Sequence, residues 1–313
     1  MEKNSKIFVT GHNGLVGSAV VRELYSQGYH NILTVDKYDC DLREKKDVND
    51  FFNNWPDYVI NCAGRVGGIN ANNTKSADFI KDNILMQTNI IEACHNWGVK
   101  KLLFLGSSCI YPKFCPQPIK EEYLLTSELE ETNIGYAIAK ISGVVMCRMY
   151  NKQYDSNFIS AMPTNLYGIN DNFNLESSHV LPALIRKFHE AKVNKLPTVE
   201  LWGTGSAQRE FLFVDDLAKA LIFLMNNYED YQEHINIGSG TDVPIKVLAE
   251  IIKTVVGYKG DIVWNTKYPD GTPRKVLNVD KIHKLGWHHE TSLEEGIAIT
   301  YRWFKENYDN IRK

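Results

Sequence analysis

The sequence predicts an α/β protein: a doubly wound parallel sheet with helices on both faces, followed by a smaller mixed C-terminal lobe. Three observations predict it. Short apolar strands alternate with amphipathic helices through the first part of the chain. The first strand runs directly into a glycine-spaced turn and a helix. Beyond residue 168 that alternation gives way to irregularly spaced strands, helices and turn residues.

The first strand spans 6–10 and is followed by Gly11, Gly14 and Gly17 in a G-x-x-G-x-x-G pattern. Such a turn lets the backbone approach a pyrophosphate, and the helix behind it offers unpaired N–H groups at a positive dipole end. This is the Rossmann-type signature; a tight βα turn with no ligand would look the same in isolation. Leu15, Val16, Ala19, Val20 and Leu24 share one helical face, and the helix ends near Gly28. The second strand, 32–35, leads to Asp36, about 20 residues past the glycines. A carboxylate there accepts bonds from a free ribose 2′-OH and repels a 2′-phosphate, and Lys37 would do the reverse. Asp36 is equally well explained as a strand-end turn residue.

A helix over 47–54 and a strand over 58–62 follow, the strand ending in Ala63-Gly64 with a second glycine turn at Gly67-Gly68. A long helix over 77–97 leads to a strand over 101–105, and the crossovers should be right-handed. That strand runs into Gly106-Ser107-Ser108-Cys109-Ile110-Tyr111-Pro112, small hydroxyl residues at the sheet end where ligands bind. After a polar loop, Tyr136 and Lys140 open a helix reaching 154; at i and i+4 they share a face. An ammonium one turn from a phenol favours the phenolate, which suits proton transfer at a carbonyl carbon. A Tyr–Lys pair on a solvated face is the plainer explanation of that spacing.

The strand over 157–162 is followed by a predicted loop, 163–168, at the same sheet end. Farther on come a helix from His179 to Lys192, a strand over 199–202, and a strand over 209–214 entering a helix with Asp215 or Asp216 as N-cap. A strand over 235–238, a helix over 244–256 with Pro in its first turn, a turn-rich loop over 269–275, and helices over 280–285 and 293–308 complete the chain. The expected division is a dinucleotide-binding domain over 1–168, with 207–237 returning to it, and a substrate lobe over 169–313.

Composition narrows the function. A net charge of −3 gives no reason to expect nucleic acid or an anionic membrane as partner. No apolar run reaches the roughly 18 residues of a membrane span, and the first strand starts too early for a signal peptide. Six cysteines without a C-x-x-C pair read as reduced thiols of a cytoplasmic enzyme. No spacing suggests a metal site.

Five motifs, GSSCIYPK (106–113), YAIAK (136–140), PTNLYG (163–168), REFLFVDD (209–216) and PDGTPRK (269–275), occur in the order seen in the GDP-L-fucose synthase family. The chain resembles that family, a group of extended short-chain dehydrogenase/reductases, over nearly its whole length. The resemblance implies inversion of C3 and C5 of GDP-4-keto-6-deoxy-mannose, then reduction of C4 by NADPH. It implies that Ser107 bonds the C4 carbonyl, that Tyr136 protonates that oxygen, and that Lys140 bonds the nicotinamide ribose while lowering the Tyr136 pKa. Cys109, with a pKa near neutral, would be the base at C3 and C5, and His179 the acid on the opposite face. Ser107, Ser108, Asn165, Lys187, Trp202, Arg209 and Asp270 would hold the GDP-sugar. Gly11, Asn13, Gly14, Leu15, Val16, Gly17, Asp36, Lys37, Asp41, Leu42, Ala63, Gly64, Leu105, Lys140, Pro163, Asn165, Leu166 and His179 would line the cofactor.

Taken singly, Cys109 reads as a small buried hydrophobe, His179 as a helix-start residue and Trp202 as core. Asn13 stands where the family usually carries an arginine that meets the 2′-phosphate, so NADP(H) is expected with NAD(H) as the alternative. The competing functions are a C4 reductase without epimerase activity, acting on a GDP-4-keto-6-deoxy-heptose, and a non-catalytic dinucleotide sensor on the same fold. The expected partners are the GDP-sugar and a second copy of the chain. The resemblance implies a homodimer through a four-helix bundle built from the helices near 77–97 and 134–154.

Overall fold

In the computed structural model, residues 1–229, 233–268 and 270–311 are described. The strand β1 (Ile7–Thr10) is buried along its whole length, because helices cover both faces of its sheet. It is followed by α1 (Leu15–Ser26), β2 (Ile32–Leu33), α2 (Lys45–Phe52), β3 (Tyr58–Asn61), α3 (Ile69–Thr74), α4 (Ser76–Asn96), β4 (Lys101–Leu105), α5 (Ile134–Tyr154) and β5 (Phe158–Pro163). The chain continues through β6 (Asn165–Tyr167), α6 (Val180–Val193), β7 (Thr198–Trp202), β8 (Gln208–Phe213), α7 (Val214–Asn227) and β9 (Ile235–Ile237). It ends with β10 (Asp242–Pro244), α8 (Ile245–Val256), β11 (Asp261–Asn265), β12 (Arg274–Lys275), α9 (Asp280–Lys284) and α10 (Leu293–Glu306).

The main sheet has six strands in the order β2-β1-β3-β4-β5-β9, all parallel. From β1 the chain winds first outward to β2 and then back past itself to β3. The switch point of the topology therefore lies between β1 and β3, at the carboxyl ends of the strands. One core joins this sheet to α1 and α7 through residues such as Val9, Val20, Leu103, Leu221 and Ile237. A second core lies among α6, α8, α10 and the strands β7 and β8, with Phe188, Leu201, Ile252 and Phe304 at its centre. The helix α7 is tied to the sheet by buried Lys101, whose ammonium donates to the carbonyls of Leu224 and Met225 in the last turn of the helix, at 3.1 Å each.

Several local expectations are corrected. The second strand stops at Leu33 rather than 35, since it is the sheet edge and the chain peels off towards the glycine turn. Residues 165–167 are not loop: they form β6, which pairs with β8 some 46 residues on, Asn165 opposite Phe211. The N-cap of α7 is Phe213, not Asp215 or Asp216. Asp216 instead accepts the N–H groups of Glu290 and Thr291 at 3.3 and 2.8 Å, and Asp215 pairs with Arg22 of α1. Pro244 precedes α8 as its N-cap rather than lying in its first turn. The turn-rich loop contains β12, and its Pro269 lies outside the described residues.

Candidate active site

Two turns meet at the switch point. Gly11 has a φ of +66°, which an L side chain rarely adopts, and a Cβ there would come within 3.0 Å of the Ala63 nitrogen. A Cβ at Gly17 would be driven into the Gly11 carbonyl, so α1 lies directly on the turn. Thr10 Oγ1 donates to Asn61 Oδ1 at 2.7 Å and accepts the Ala63 N–H at 2.9 Å, pinning the ends of β1 and β3 together. Gly14 is the N-cap of α1, whose first turn (Leu15, Val16) carries neither an acid nor a side-chain cap bond. The result is a cradle of backbone at a helix N-terminus, which fits a dinucleotide pyrophosphate.

At the rim of the cradle Asp36 is exposed and accepts a bond from the side-chain amide of Asn13, with His12 Nε2 3.8 Å away. Lys37 is exposed beside it. Asp41 is committed elsewhere: Arg43 holds its carboxylate, Nη2 to Oδ2 at 2.6 Å, and keeps its pKa below the usual range. The Leu42 carbonyl accepts from Asn89 at 3.0 Å.

The candidate catalytic groups lie one strand over. Ser107 is half-buried at the end of β4 and begins a 3-10 turn, Ser108–Ile110, its Oγ accepting the Cys109 N–H at 3.3 Å. Its hydroxyl also acts on the Tyr136 phenol and the Cys109 thiol, lowering the pKa of each. Ser108 is buried, only 5% exposed. Tyr136 stands edge-on to Phe79 of α4 and clusters with Cys109. Lys140 is buried, its ammonium 2.8 Å from the Leu105 carbonyl, to which it donates, and 5.8 Å from the Tyr136 ring. A Cβ on Gly64 would lie 3.5 Å from the Lys140 nitrogen, so the lysine bridges the dinucleotide cradle and the reacting groups. Pro163 ends β5, and Asn165 donates to the Glu210 carbonyl at 2.8 Å, with Leu166 half-buried beside it.

Two electrostatic expectations are corrected. Burial raises the Tyr136 phenol well above its ordinary pKa, with the nearby Cys109 adding to the rise and the Ser107 bond opposing it. Lys140 does not hold it down; burial drops the lysine's own pKa to about 8. Cys109 is not poised near neutral either, since burial raises its thiol against the opposing pull of Lys275, the Ser107 bond and Lys140.

His179 is the N-cap of α6 and is exposed. Burial, and then the charge of Lys275, push its imidazole below the ordinary histidine range. The N–H of Gly68 donates to the Ser177 carbonyl at 2.9 Å, which draws the His179 segment across to the turn after β3.

The substrate-lobe residues form one strip. Trp202 is not core: it is 60% exposed and stacks on Tyr268 with ring centroids 4.4 Å apart. Lys187 donates to the Glu200 carbonyl at 3.3 Å and sits 5.4 Å from the Trp202 ring. Asp270 accepts the Thr204 N–H and hydroxyl at 2.9 and 2.7 Å, and its charge bears on Arg209. Burial lowers the pKa of Lys187 and Arg209. Lys275 pairs opposite Arg209 where β12 meets β8. Its ammonium also acts on Cys109 and His179, so it joins this strip to the Cys109 turn and the start of α6. No role was assigned to Lys275 or Tyr268 from sequence. Lys275 lay within the PDGTPRK motif, and only the β12–β8 pairing reveals its neighbours. Among the described residues no group of three or more His, Cys, Asp or Glu side chains could hold a metal.

Backbone at the switch point and a Ser–Tyr–Lys set beside it define a dinucleotide-dependent oxidoreductase of the extended short-chain dehydrogenase/reductase class. The NAD dependent epimerase/dehydratase family model matches residues 7–238. The chain is 55% identical to GDP-L-fucose synthase 1 of Arabidopsis thaliana, covering 99% of this chain and 96% of that one. Among solved structures, a GDP-L-fucose synthetase from Naegleria fowleri bound to NADP superposes with a TM-score of 0.94 at 33% identity, covering 100% of this chain and 96% of that one. A GDP-mannoheptose C4 reductase from Campylobacter jejuni with NADP bound gives 0.88 at 38%, covering 97% and 99%. The chain belongs to the NAD dependent epimerase/dehydratase family and, within it, to the GDP-L-fucose synthase family.

Proposed function

We propose that this protein inverts C3 and C5 of a GDP-4-keto-6-deoxy-hexose and then reduces C4, giving GDP-L-fucose. The observation that carries this reading is the convergence on Ser107 of a phenol and a thiol, beside a cationic strip of Lys187, Arg209 and Lys275. The strip suits a diphosphate, and Trp202 with Tyr268 offers a flat apolar face to a base or sugar. With the C4 carbonyl between Ser107 and Tyr136, both hydroxyls stabilise negative charge on that oxygen. Stabilising that charge makes the flanking C–H groups acidic enough for the Cys109 thiolate to remove a proton, and protonated His179 returns one from the opposite side. Bound NADPH supplies the hydride. Tyr136 then protonates the C4 oxygen; a phenol with a raised pKa is held ready as the acid. Gly11, Gly14 and Gly17 would hold the pyrophosphate, and Lys140, the Leu105 end of β4, Ala63 and Gly64 the nicotinamide side.

The second reading is a C4 reductase that leaves C3 and C5 unchanged and accepts a heptose. It draws on the likeness to the Campylobacter reductase and on the raised thiol pKa of Cys109. Turnover in D2O, crossing NADPH and NADH with hexose and heptose 4-keto substrates, separates them. Deuterium at C3 and C5 of the product supports the first reading, and its absence sinks the epimerase step.

We also infer the domain division 1–168 with 207–237 returning, α7 and β9 making that return, and a GDP-sugar lobe over 169–313. A homodimer through α4 and α5 is supported by Leu85, Ile138 and Met149, large apolar side chains left 39–49% exposed on those helices. Six free cysteines support work in a reducing cytoplasm, making sugar donors for polysaccharide.

A further inference from the structure

Tyr111 closes the turn that carries Cys109, and its ring is buried in the seam between the sheet and the β12 segment. Arg148 Nη2 lies 2.8 Å from His234 Nδ1. A guanidinium only donates, so Nδ1 accepts and the ring proton resides on Nε2. That N–H donates to Tyr111 Oη at 2.9 Å, and the Tyr111 hydroxyl donates to Asn236 Oδ1 at 2.5 Å. The Asn236 amide donates in turn to the carbonyls of Ile119 and Asn278, at 3.0 and 3.2 Å, and its backbone N–H donates to Glu121 at 3.0 Å. Tyr111, His234 and Asn236 are 3%, 1% and 0% exposed. Every link runs in one direction, and deleting one leaves a buried donor and a buried acceptor unpaired.

This chain of bonds runs from Arg148 on α5 to Ile119 and Asn278, and it ties two functional segments together. Tyr111, in its middle, lies two residues beyond Cys109. Asn278, at its far end, belongs to the segment that follows Lys275. Ile119 clamps that segment as well, donating to the Val276 carbonyl and accepting from the Asn278 N–H, both at 2.8 Å. The C4 apparatus shares Ser107 with the Cys109 turn but has anchors of its own: Ser107 follows Gly106, whose N–H donates to the Ala161 carbonyl at 2.9 Å, and Tyr136 stands on the first turn of α5.

We infer that Tyr111, His234 and Asn236 are positioning residues that hold the Cys109 turn in register with Lys275, and that proton transfer at C3 and C5 depends on this register more than hydride transfer to C4 does. The inference rests on the epimerase–reductase reading. It is tested with Tyr111→Phe, and with His234→Gln as a second break should the first variant not fold. Exchange at C3 and C5 is followed by NMR in D2O with NADP+ and GDP-4-keto-6-deoxy-mannose, and product labelling is followed with NADPH. The expected result is exchange at least tenfold slower at saturating substrate, KM within twofold, and a growing share of C4-reduced product without deuterium at C3 or C5. Exchange and reduction falling together with unchanged labelling, a change in KM alone, or no change would overturn it. A wild-type enzyme that incorporates no deuterium overturns the epimerase reading itself and the inference with it, before any variant is compared.

Discussion

The two ends of the cleft are built from different materials. The dinucleotide end is backbone: Gly11, Gly14 and Gly17 matter for the space they leave, and contiguous chain supplies the contacts. The end proposed to hold GDP is side chains, Lys187, Trp202, Arg209, Asp270 and Lys275, gathered from α6, β7, β8, β12 and the loop before β12. Its order depends on strand pairs such as β11 with β7 and β12 with β8, which join distant stretches. A backbone site tolerates changes of side chain but not the addition of a Cβ. A side-chain site behaves the other way. The following changes probe that contrast, beginning where the two ends meet.

Tyr136→Phe should have the largest effect. Removing a positioned proton donor costs roughly 10²–10⁴ in rate. Steady-state reduction should fall by about that much while NADPH binding, followed by fluorescence titration, stays within a few-fold. Retained turnover would refute the role of the phenol.

The seam between the ends should be acid-sensitive through His234. Burial is the main cause of its pKa of about 3, with the charges of Arg148 and Lys281 adding to it; Glu121 is the carboxylate facing the same network. The unfolded chain, with histidine near 6.5, takes up the proton first as the pH falls. The stability is thus complete above pH 6.5 and drains away towards pH 3, by about 5 kcal/mol at the acid limit. Urea melts of wild type and His234→Gln should converge as pH drops from 7 to 4.5. Parallel curves would show that the buried imidazole is not the titrating group.

Gly17→Ala tests the backbone end. The added methyl meets the Gly11 carbonyl, so the turn or α1 must shift, at about 1–3 kcal/mol. NADPH affinity should drop with stability, whereas GDP binding, read by calorimetry, should not. At the other end Arg209→Ala should weaken GDP binding by about tenfold to a hundredfold, the scale of a charged hydrogen bond, and leave the melting temperature nearly unmoved. Equal loss of both ligands in either variant would erase the contrast.

The same contrast explains what could be read from the sequence. The sheet through β5, α1, α4 and α5, the glycine turn and the Tyr136–Lys140 face were legible because each is set by local spacing: period, turn residues, i and i+4. Trp202 on its own suggested core, since nothing local says that Tyr268 stacks on it in the open. The existence of β6, β10, β11 and β12 was hidden because each is stabilised by a partner strand far along the chain. The pKa values of Tyr136 and Cys109 went the opposite way from expectation because desolvation is a property of the packed site. The Tyr136–Lys140 spacing shows proximity and says nothing of burial. Lys140, moreover, spends a hydrogen bond on the Leu105 carbonyl.

The smallest effect is expected at the cradle rim, where the backbone site carries an exposed carboxylate. Asp36 accepts a bond from Asn13 and so holds its carboxylate at the mouth of the glycine turn. A ribose 2′-OH can donate to that group, and a 2′-phosphate is repelled by it. Lys37 supplies compensating attraction from an exposed side chain, screened by solvent and worth about 1 kcal/mol at most. Asp36→Ala should therefore raise affinity for NADPH relative to NADH by about five- to tenfold, read by fluorescence titration at low and high salt, with the gain shrinking at high salt. A ratio unchanged at both salts would mean that the carboxylate does not face the adenosine ribose. The rim would then be as indifferent to side chains as the rest of the cradle.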